Sequence, residues 1–330
     1  MGTGRGRAVP VGRPGWTTLF PRPPQNDFTP RSRARRKKDV SPLNPQKIAI
    51  LTDTCADIPA ELAAQHQIFT LPLTISFGEE HFRDGVDITP AQVYRRMAEE
   101  LPKTSLPSGE TILGLFAQMR EQGYEKVLAI LFSSGLSGTY QAVKLMGEGF
   151  PGLEVAAFDT RSGSLGTGLT VLEAARFVEE GRTWNEICAL IPRLIANTTV
   201  FFCVDTLEYL QKGGRIGKIT AIAGTMLQIK PIISFTPAGE LISVAKVRGR
   251  AQSIERVTQL AADCYQPGRR CNIATAHGDA PEDGAKAAKL LRQKVPAYQR
   301  HFEGIVDCTL GSHTGPHLIG AGLQLLDDDM

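Results

Sequence analysis

EKVLAILFSSGLSGTYQAVKLMGEGF, residues 125–150, decides how the chain is read. Val127 to Leu131 form an apolar run of strand length. Two glycines and the hydroxyls of Ser133, Ser134, Ser137 and Thr139 follow, and then a helical pattern begins near Ser137. A buried strand, a polar loop and a helix are the repeating unit of a parallel α/β sheet. The same texture extends to both sides. KIAILTD (47–53) and LEVAAFDT (153–160) read as buried strands, the second leading into a helix over 164–180. IFTLPLTISF (68–77) reads as one further strand, with Pro72 implying an edge or a bulge. Helices are expected from about Pro90 and from Ser108 or Gly109.

Beyond about residue 166 the order changes. A helix over 184–196 precedes the strand TVFFCVD (199–205), and the helix TLEYLQK is stopped by Gly213–Gly214. KPIISFTPAGELISVAKVRGR (230–250) predicts a hairpin turning at Pro237–Gly239. Helix 251–265, strand 271–276, helix 282–294 and strand 304–309 complete the reading. The expected architecture is α/β: a doubly wound, mainly parallel sheet in residues 47–165 and a second α+β domain in residues 166–330.

The chain has 330 residues and a formal net charge of +3, unevenly spread. Residues 1–46 carry ten Lys and Arg against Asp27 and Asp39, leaving 27 basic and 32 acidic residues after Gln46. A mildly acidic folded part argues against a nucleic-acid-binding core. The Gly-, Pro- and Arg-rich extension lacks hydrophobic periodicity and is expected to be disordered. Its run of arginines and lysines at 31–38 also suits contact with an anionic membrane or RNA. No apolar run is long enough to span a membrane. Six cysteines (55, 188, 203, 264, 271 and 308) form no C-x-x-C pair, which suits reduced thiols in a cytoplasmic protein. His313 and His317 have i,i+4 spacing, but Gly315 and Pro316 between them disfavour a regular helix, so zinc is not expected.

Polar clusters recur at strand ends and turns: TDTCAD (52–57), TSLPSGET (104–111), SSGLSGTY (133–140), DTRSGSLGTG (159–168) and GSHTG (311–315). In open α/β sheets ligands bind beyond the carboxyl ends of strands. Hydroxyls beside helix N-termini can receive a carboxylate or a phosphoryl group, although a helix cap explains any single cluster as well. The SSGLSG loop is neither a P-loop nor a G-x-S-x-G elbow. Ser137 with His277 or His313 would make a nucleophilic pair if the fold brought them together. Asp53, alone at a strand end, reads as a capping or turn residue.

Eight segments in this order, ILTDTCADIP, TSLPS, LFSSGLSGTYQ, FDTRSGSLGTG, LEYLQKGGRIGK, KPII, VRGR and GSHTGP, resemble the DegV family of bacterial fatty-acid-binding proteins. The resemblance covers about Lys47 to Leu326. It implies a two-domain α/β protein with one long-chain fatty acid between the domains. It also implies a carrier, itself no enzyme and without a cofactor, that presents the acid to a separate ATP-using fatty acid kinase subunit. By the same resemblance the carboxylate rests on Thr104 and Ser137, with Ser105, Ser134 and Gly138 as further ligand contacts. Arg248 and His313 become the polar pair near it, with Arg250 a close neighbour of the first. The family usually reads H-x-G-P-G at the last motif; this chain has His317 at its end.

Neutral hydroxyls would satisfy a buried carboxylate without a buried cation. Each buried methylene of the tail would add roughly 0.8 kcal/mol. Candidates for the tail's walls are Phe69, Leu71, Leu73, Ile75, Ile112, Phe116, Ile222, Met226, Leu227 and Ile229. KGGRIGK (212–218) offers Arg215 and Lys218 as a docking surface for the kinase or for transient membrane contact. Two other functions remain open: an acyl hydrolase using Ser137, and a phosphoryl-accepting protein of dihydroxyacetone-kinase-like architecture.

Overall fold

The computed structural model describes residues 1–2, 43–222 and 229–330, so the basic extension lies almost wholly outside the described residues. Leu43, Asn44 and Gln46, grouped by composition with that extension, belong to the fold. Leu43 packs on a core cluster, Asn44 exchanges hydrogen bonds with the backbone of Ile48, and Gln46 accepts from the Trp184 N–H.

In chain order the strands are β1 (Ile48–Asp53), β2 (Ile68–Leu71), β3 (Thr74–Phe77), β4 (Glu80–Arg83), β5 (Lys103–Ser105), β6 (Lys126–Leu131), β7 (Glu154–Asp159), β8 (Thr198–Cys203), β9 (Ile229–Phe235), β10 (Leu241–Arg248), β11 (Arg270–His277), β12 (Arg300–Ile305) and β13 (Ile319–Leu326). The helices are α1 (Ala60–Gln65), α2 (Pro90–Arg96), α3 (Gly109–Glu121), α4 (Thr139–Gly147), α5 (Leu165–Glu179), α6 (Trp184–Ala196), α7 (Glu208–Lys212), α8 (Arg250–Asp263), α9 (Pro281–Lys294) and α10 (Cys308–Thr314).

The first sheet is parallel, in the order β2-β1-β6-β7. Its strands read as unbroken apolar runs because both faces are covered. Ile48, Ile50, Leu128 and Ile130 face α5 and α6, where Val171, Phe177, Ile187 and Leu194 meet them. Ala49, Leu51, Val127 and Leu131 face the other way, onto Ile112, Phe116 and Met119 of α3 and Val143 of α4. This is the doubly wound sheet expected from residues 125–150.

The second sheet is mixed, in the order β10-β9-β8-β13-β11-β12. Helices α8 and α9 cover one face through Ile254, Val257, Ala287 and Leu291. The other face carries Val200, Ile233, Leu241, Ala274 and Leu318, packed with Leu165 and Leu169 of α5. A third, three-stranded antiparallel sheet, β4-β3-β5, completes the fold.

Three expectations change. Residues 68–77 are two strands in two sheets, separated at Pro72: β2 pairs with β1, and β3 pairs with β4 and β5. A residue without an N–H at the break ends one ladder and frees the chain to enter another. The strand expected at 304–309 runs instead from Arg300 to Ile305, and residues 308–314 are helical. The helix ends just before Gly315–Pro316, so it contains His313 and excludes His317. Finally, β13 lies at the centre of the mixed sheet, between β8 and β11, although its two glycines hid it from the reading of strands.

Candidate functional site

The loop after β6 is held by its first serine. Buried Ser133 donates to the Gly239 carbonyl at 2.8 Å and accepts from the Gly135 N–H at 3.1 Å. Gly239 is the tip of the β9–β10 hairpin, with φ +78°. A Cβ on Gly135 would stand 2.8 Å from the Gly239 backbone, so the loop and the hairpin touch backbone to backbone. Ser134 donates to Asp159 at the end of β7, at 2.6 Å. Ser137 accepts from the Thr139 N–H at 3.2 Å, and its hydroxyl lies 2.9 Å from the Thr139 hydroxyl.

Anchored this way, the loop forms one wall of a cavity of about 500 Å³. That volume is within the roughly 300–1,000 Å³ usual for small-molecule sites. Thr104, Ser105, Ser134, Ser137, Gly138 and His313 all line it, drawn from β5, the β6–α4 loop and α10. Much of the remaining wall is apolar, led by Phe132, Phe201, Phe202, Phe235, Leu165 and Leu241. Arg215 lines it as well, donating to the Gly213 carbonyl at 2.9 Å.

The hydroxyls of the wall differ in where their protons go. Those of Ser134, Ser164, Thr309 and Thr314 are donated to Asp159, Asp57, Asp84 and the Leu310 carbonyl. Thr104 is bonded to the imidazole of His313, Oγ1 to Nε2, at 2.7 Å. Burial, with the positive charge of Arg215 second, pushes the His313 pKa down to about 4, so the ring is neutral near pH 7. Its Nδ1 is buried without a hydrogen-bond partner among the described residues, and a Cβ on Gly213 would stand 2.1 Å from it. An unpaired buried acceptor costs less than an unpaired buried N–H, which favours the tautomer with its proton on Nε2. In that tautomer His313 donates to Thr104, and the Thr104 proton is free to point at a ligand.

A group of carboxylates behind this wall was not legible in sequence. Asp84 accepts from the N–H groups of Cys308 and Thr309 and from the Thr309 hydroxyl, at 3.2, 2.9 and 2.6 Å. It thereby caps α10 from outside and fixes the helix that carries His313. Asp57 accepts from the Asp307 N–H at 2.8 Å and from Ser164. Asp53 accepts from the N–H groups of Cys55 and Phe132, at 3.1 and 2.9 Å. Burial pushes Asp53 and Asp57 up to about 7, and Asp307 well above the usual carboxylate range. Asp53 is thus a capping acceptor, as its isolation in the sequence suggested. No group of His, Cys, Asp and Glu suited to a metal ion occurs among the described residues.

Other expected site residues stand apart. Arg248 ends β10 opposite Ile229 and is not among the described residues that line the cavity. Arg250 is paired with Asp283 at 2.7 Å. Lys218 is exposed and paired with Glu240 at 2.8 Å. Among the described residues no hydrogen bond joins Ser137 to His277 or His313; His277 accepts from the Ala280 N–H. Of the candidates for the tail's walls, Leu73 lines the cavity. Phe69, Leu71, Ile112 and Phe116 pack in the core beneath α3, and Ile75 in the small sheet. Ile229 lies on β9 outside the lining. Met226, Leu227 and the side chain of Ile222 lie outside the described residues. No helix among the described residues is long and apolar enough to cross a membrane.

Comparisons with known proteins identify the family and the fold. The family model described as "Uncharacterised protein, DegV family" matches residues 47–325. A DegV domain-containing protein of Clostridium acetobutylicum is 35% identical over 283 residues, 86% of this chain and 100% of the relative. A Thermus thermophilus structure described as fatty acid binding of a DegV family protein aligns with a TM-score of 0.77 at 29% identity, over 84% of this chain and 99% of that one. A stearic-acid-binding protein of Eubacterium ventriosum aligns with a TM-score of 0.77 at 28% identity, over 84% and 98%. The chain therefore belongs to the DegV family.

Proposed function

We propose that the protein binds a long-chain fatty acid in this cavity, its carboxylate on the hydroxyls of Thr104 and Ser137. It then presents the acid to a separate kinase subunit that forms the acyl phosphate. The observation that carries the reading is one cavity whose walls combine these two hydroxyls with four phenylalanines. Related structures are described as binding fatty acid, and one as binding stearic acid.

The chemistry is consistent. Two O–H donors satisfy a carboxylate that burial would otherwise strand. A close salt bridge would hold back the oxygen that must attack a phosphoryl group, and His313 is neutral near pH 7. A tail of about sixteen carbons, at roughly 0.8 kcal/mol for each methylene, supplies most of the affinity after the costs of association. Arg215, at the wall beside His313, is then a candidate for the kinase-facing edge.

Solvent extraction of the purified protein followed by mass spectrometry tests the binding. One long-chain acid per chain is expected; no acid on extraction and none on titration would overturn the reading. With the kinase subunit and ATP added, His313→Ala is expected to lose acyl-phosphate formation more than binding. Equal loss in both assays would contradict that role for His313.

A further inference from the structure

Glycine in the interior of a strand forfeits roughly 0.5–1 kcal/mol relative to alanine. It therefore needs a reason. Strand β13 carries two, Gly320 and Gly322, both buried and on the same face because they are two residues apart. Gly322 has a packing reason: a Cβ there would stand 2.8 Å from Val200 Cγ1. Gly320 has none. A Cβ there would meet Leu165 Cδ1 at 3.6 Å, the Phe201 carbonyl at 3.7 Å and Phe202 Cβ at 3.8 Å, all ordinary van der Waals contacts. Its backbone is not left-handed, so alanine is compatible with its conformation.

What Gly320 borders is the cavity itself. Its nearest neighbours are Leu165, Phe201 and Phe202, with no side-chain hydroxyl or imidazole among them. Gly320 thus borders the cavity on a stretch of apolar wall, where a methyl group would fit without a clash. A second lining glycine, Gly163, contrasts with it: a Cβ there would stand 2.4 Å from the Phe132 ring, so that space is already filled by an aromatic side chain.

We propose that Gly320 is a specificity-determining residue, whose lack of a side chain sets the length and bulk of the acyl tail the slot accepts. The proposal rests on the fatty-acid reading above and goes beyond it by naming the position that selects among acids. A methyl added at this position makes only ordinary contacts with the protein, at 3.6–3.8 Å, and takes its volume from the slot.

The test is titration of the full chain, wild type and variants, with stearate and with laurate, alongside thermal unfolding. Gly320→Ala is expected to keep or raise the unfolding temperature and to lower the stearate-to-laurate affinity ratio by about tenfold, since one methylene in an apolar pocket is worth about 10–200-fold. Gly320→Val is expected to lower it further. Gly114→Ala, on the exposed face of α3 with nothing within 4 Å of its Cβ, is the control and should leave the ratio unchanged. An unchanged ratio in folded Gly320→Ala overturns the proposal. So does loss of the fold in Gly320→Ala, because it would mean the space is not open. An equal shift in Gly114→Ala overturns it too. A wild-type protein that binds neither acid sinks the fatty-acid reading itself, a failure visible before any variant is made.

Discussion

The loop after β1, residues 54–57, and the loop after β6, residues 132–138, leave adjacent parallel strands from their carboxyl ends. Both are short, polar and followed by a helix. The first spends its polar groups on the protein. Asp53 and Asp57 accept four hydrogen bonds, from Cys55, Phe132, Asp307 and Ser164, and Cys55 and Ala56 are buried. The second commits Ser133 to the Gly239 carbonyl and Ser134 to Asp159, and sets Ser137 and Gly138 against the cavity. Position at the carboxyl end of a strand therefore does not separate support from site. The separation lies in whether a polar group's hydrogen bonds are already committed to the fold.

The sharpest way to break this comparison is Asp53→Ala. It strands two buried N–H groups, each costing about 1–3 kcal/mol, so the denaturation midpoint should fall steeply. Wild-type stability in that variant would erase the distinction between the loops. Ser137→Ala is the counterpart. It should weaken fatty-acid binding by about 1.5–3 kcal/mol, the value of one hydrogen bond to a charged group, with a smaller loss of stability. Titration and chemical unfolding of the same two variants read both effects.

Much of the fold was legible because burial on both faces writes a strand as an unbroken apolar run, as in β1 and β6. Where that condition fails, so does the reading. β5 is Lys-Thr-Ser, with no apolar residue, and Thr104 was reached through its motif rather than through any periodicity. β13 is entirely buried, but its glycines make it read as a turn. Asp84 and Asp307 are single acids far apart in the chain; Asp307 directly precedes α10 and caps it, and only the fold brings Asp84 to the same helix. Hydrophobic pattern also cannot tell a core from a cavity wall. Phe116 and Phe202 look alike in sequence, yet the first fills the core and the second lines the slot.

The carboxylates sharpen the comparison through pH. Asp57 is raised by burial from 3.8 to about 7, so its contribution to stability is present below about pH 4 and is lost as the pH rises through about 7. His313 is depressed from 6.5 to about 4, so its contribution is present above about pH 6.5 and is lost as the pH falls through about 4. Asp57→Asn removes the first leg while keeping a carbonyl for the Asp307 N–H. Thermal unfolding should show this variant gaining on the wild type as the pH rises from about 4 to 7. A constant offset across that range would mean that Asp57 is ionised throughout.

The smallest effect is expected at His317. His317 adopts a left-handed backbone conformation, with φ +65°. A left-handed conformation costs an L-residue about 1–2 kcal/mol, part of which glycine's greater entropy loss cancels. His317→Gly should therefore stabilise the fold by about 0.5–1 kcal/mol in a denaturant titration. A loss of stability would mean that the imidazole contributes more than the strained backbone costs.

The most direct test of the two-hydroxyl seat is NMR of bound palmitate isotopically labelled at its carboxyl carbon. In the wild type the carboxyl resonance should be shifted from that of free palmitate, and it should move again in both Thr104→Ala and Ser137→Ala while the acid remains bound. A bound palmitate whose carboxyl resonance is the same in the wild type and in both variants would contradict the account.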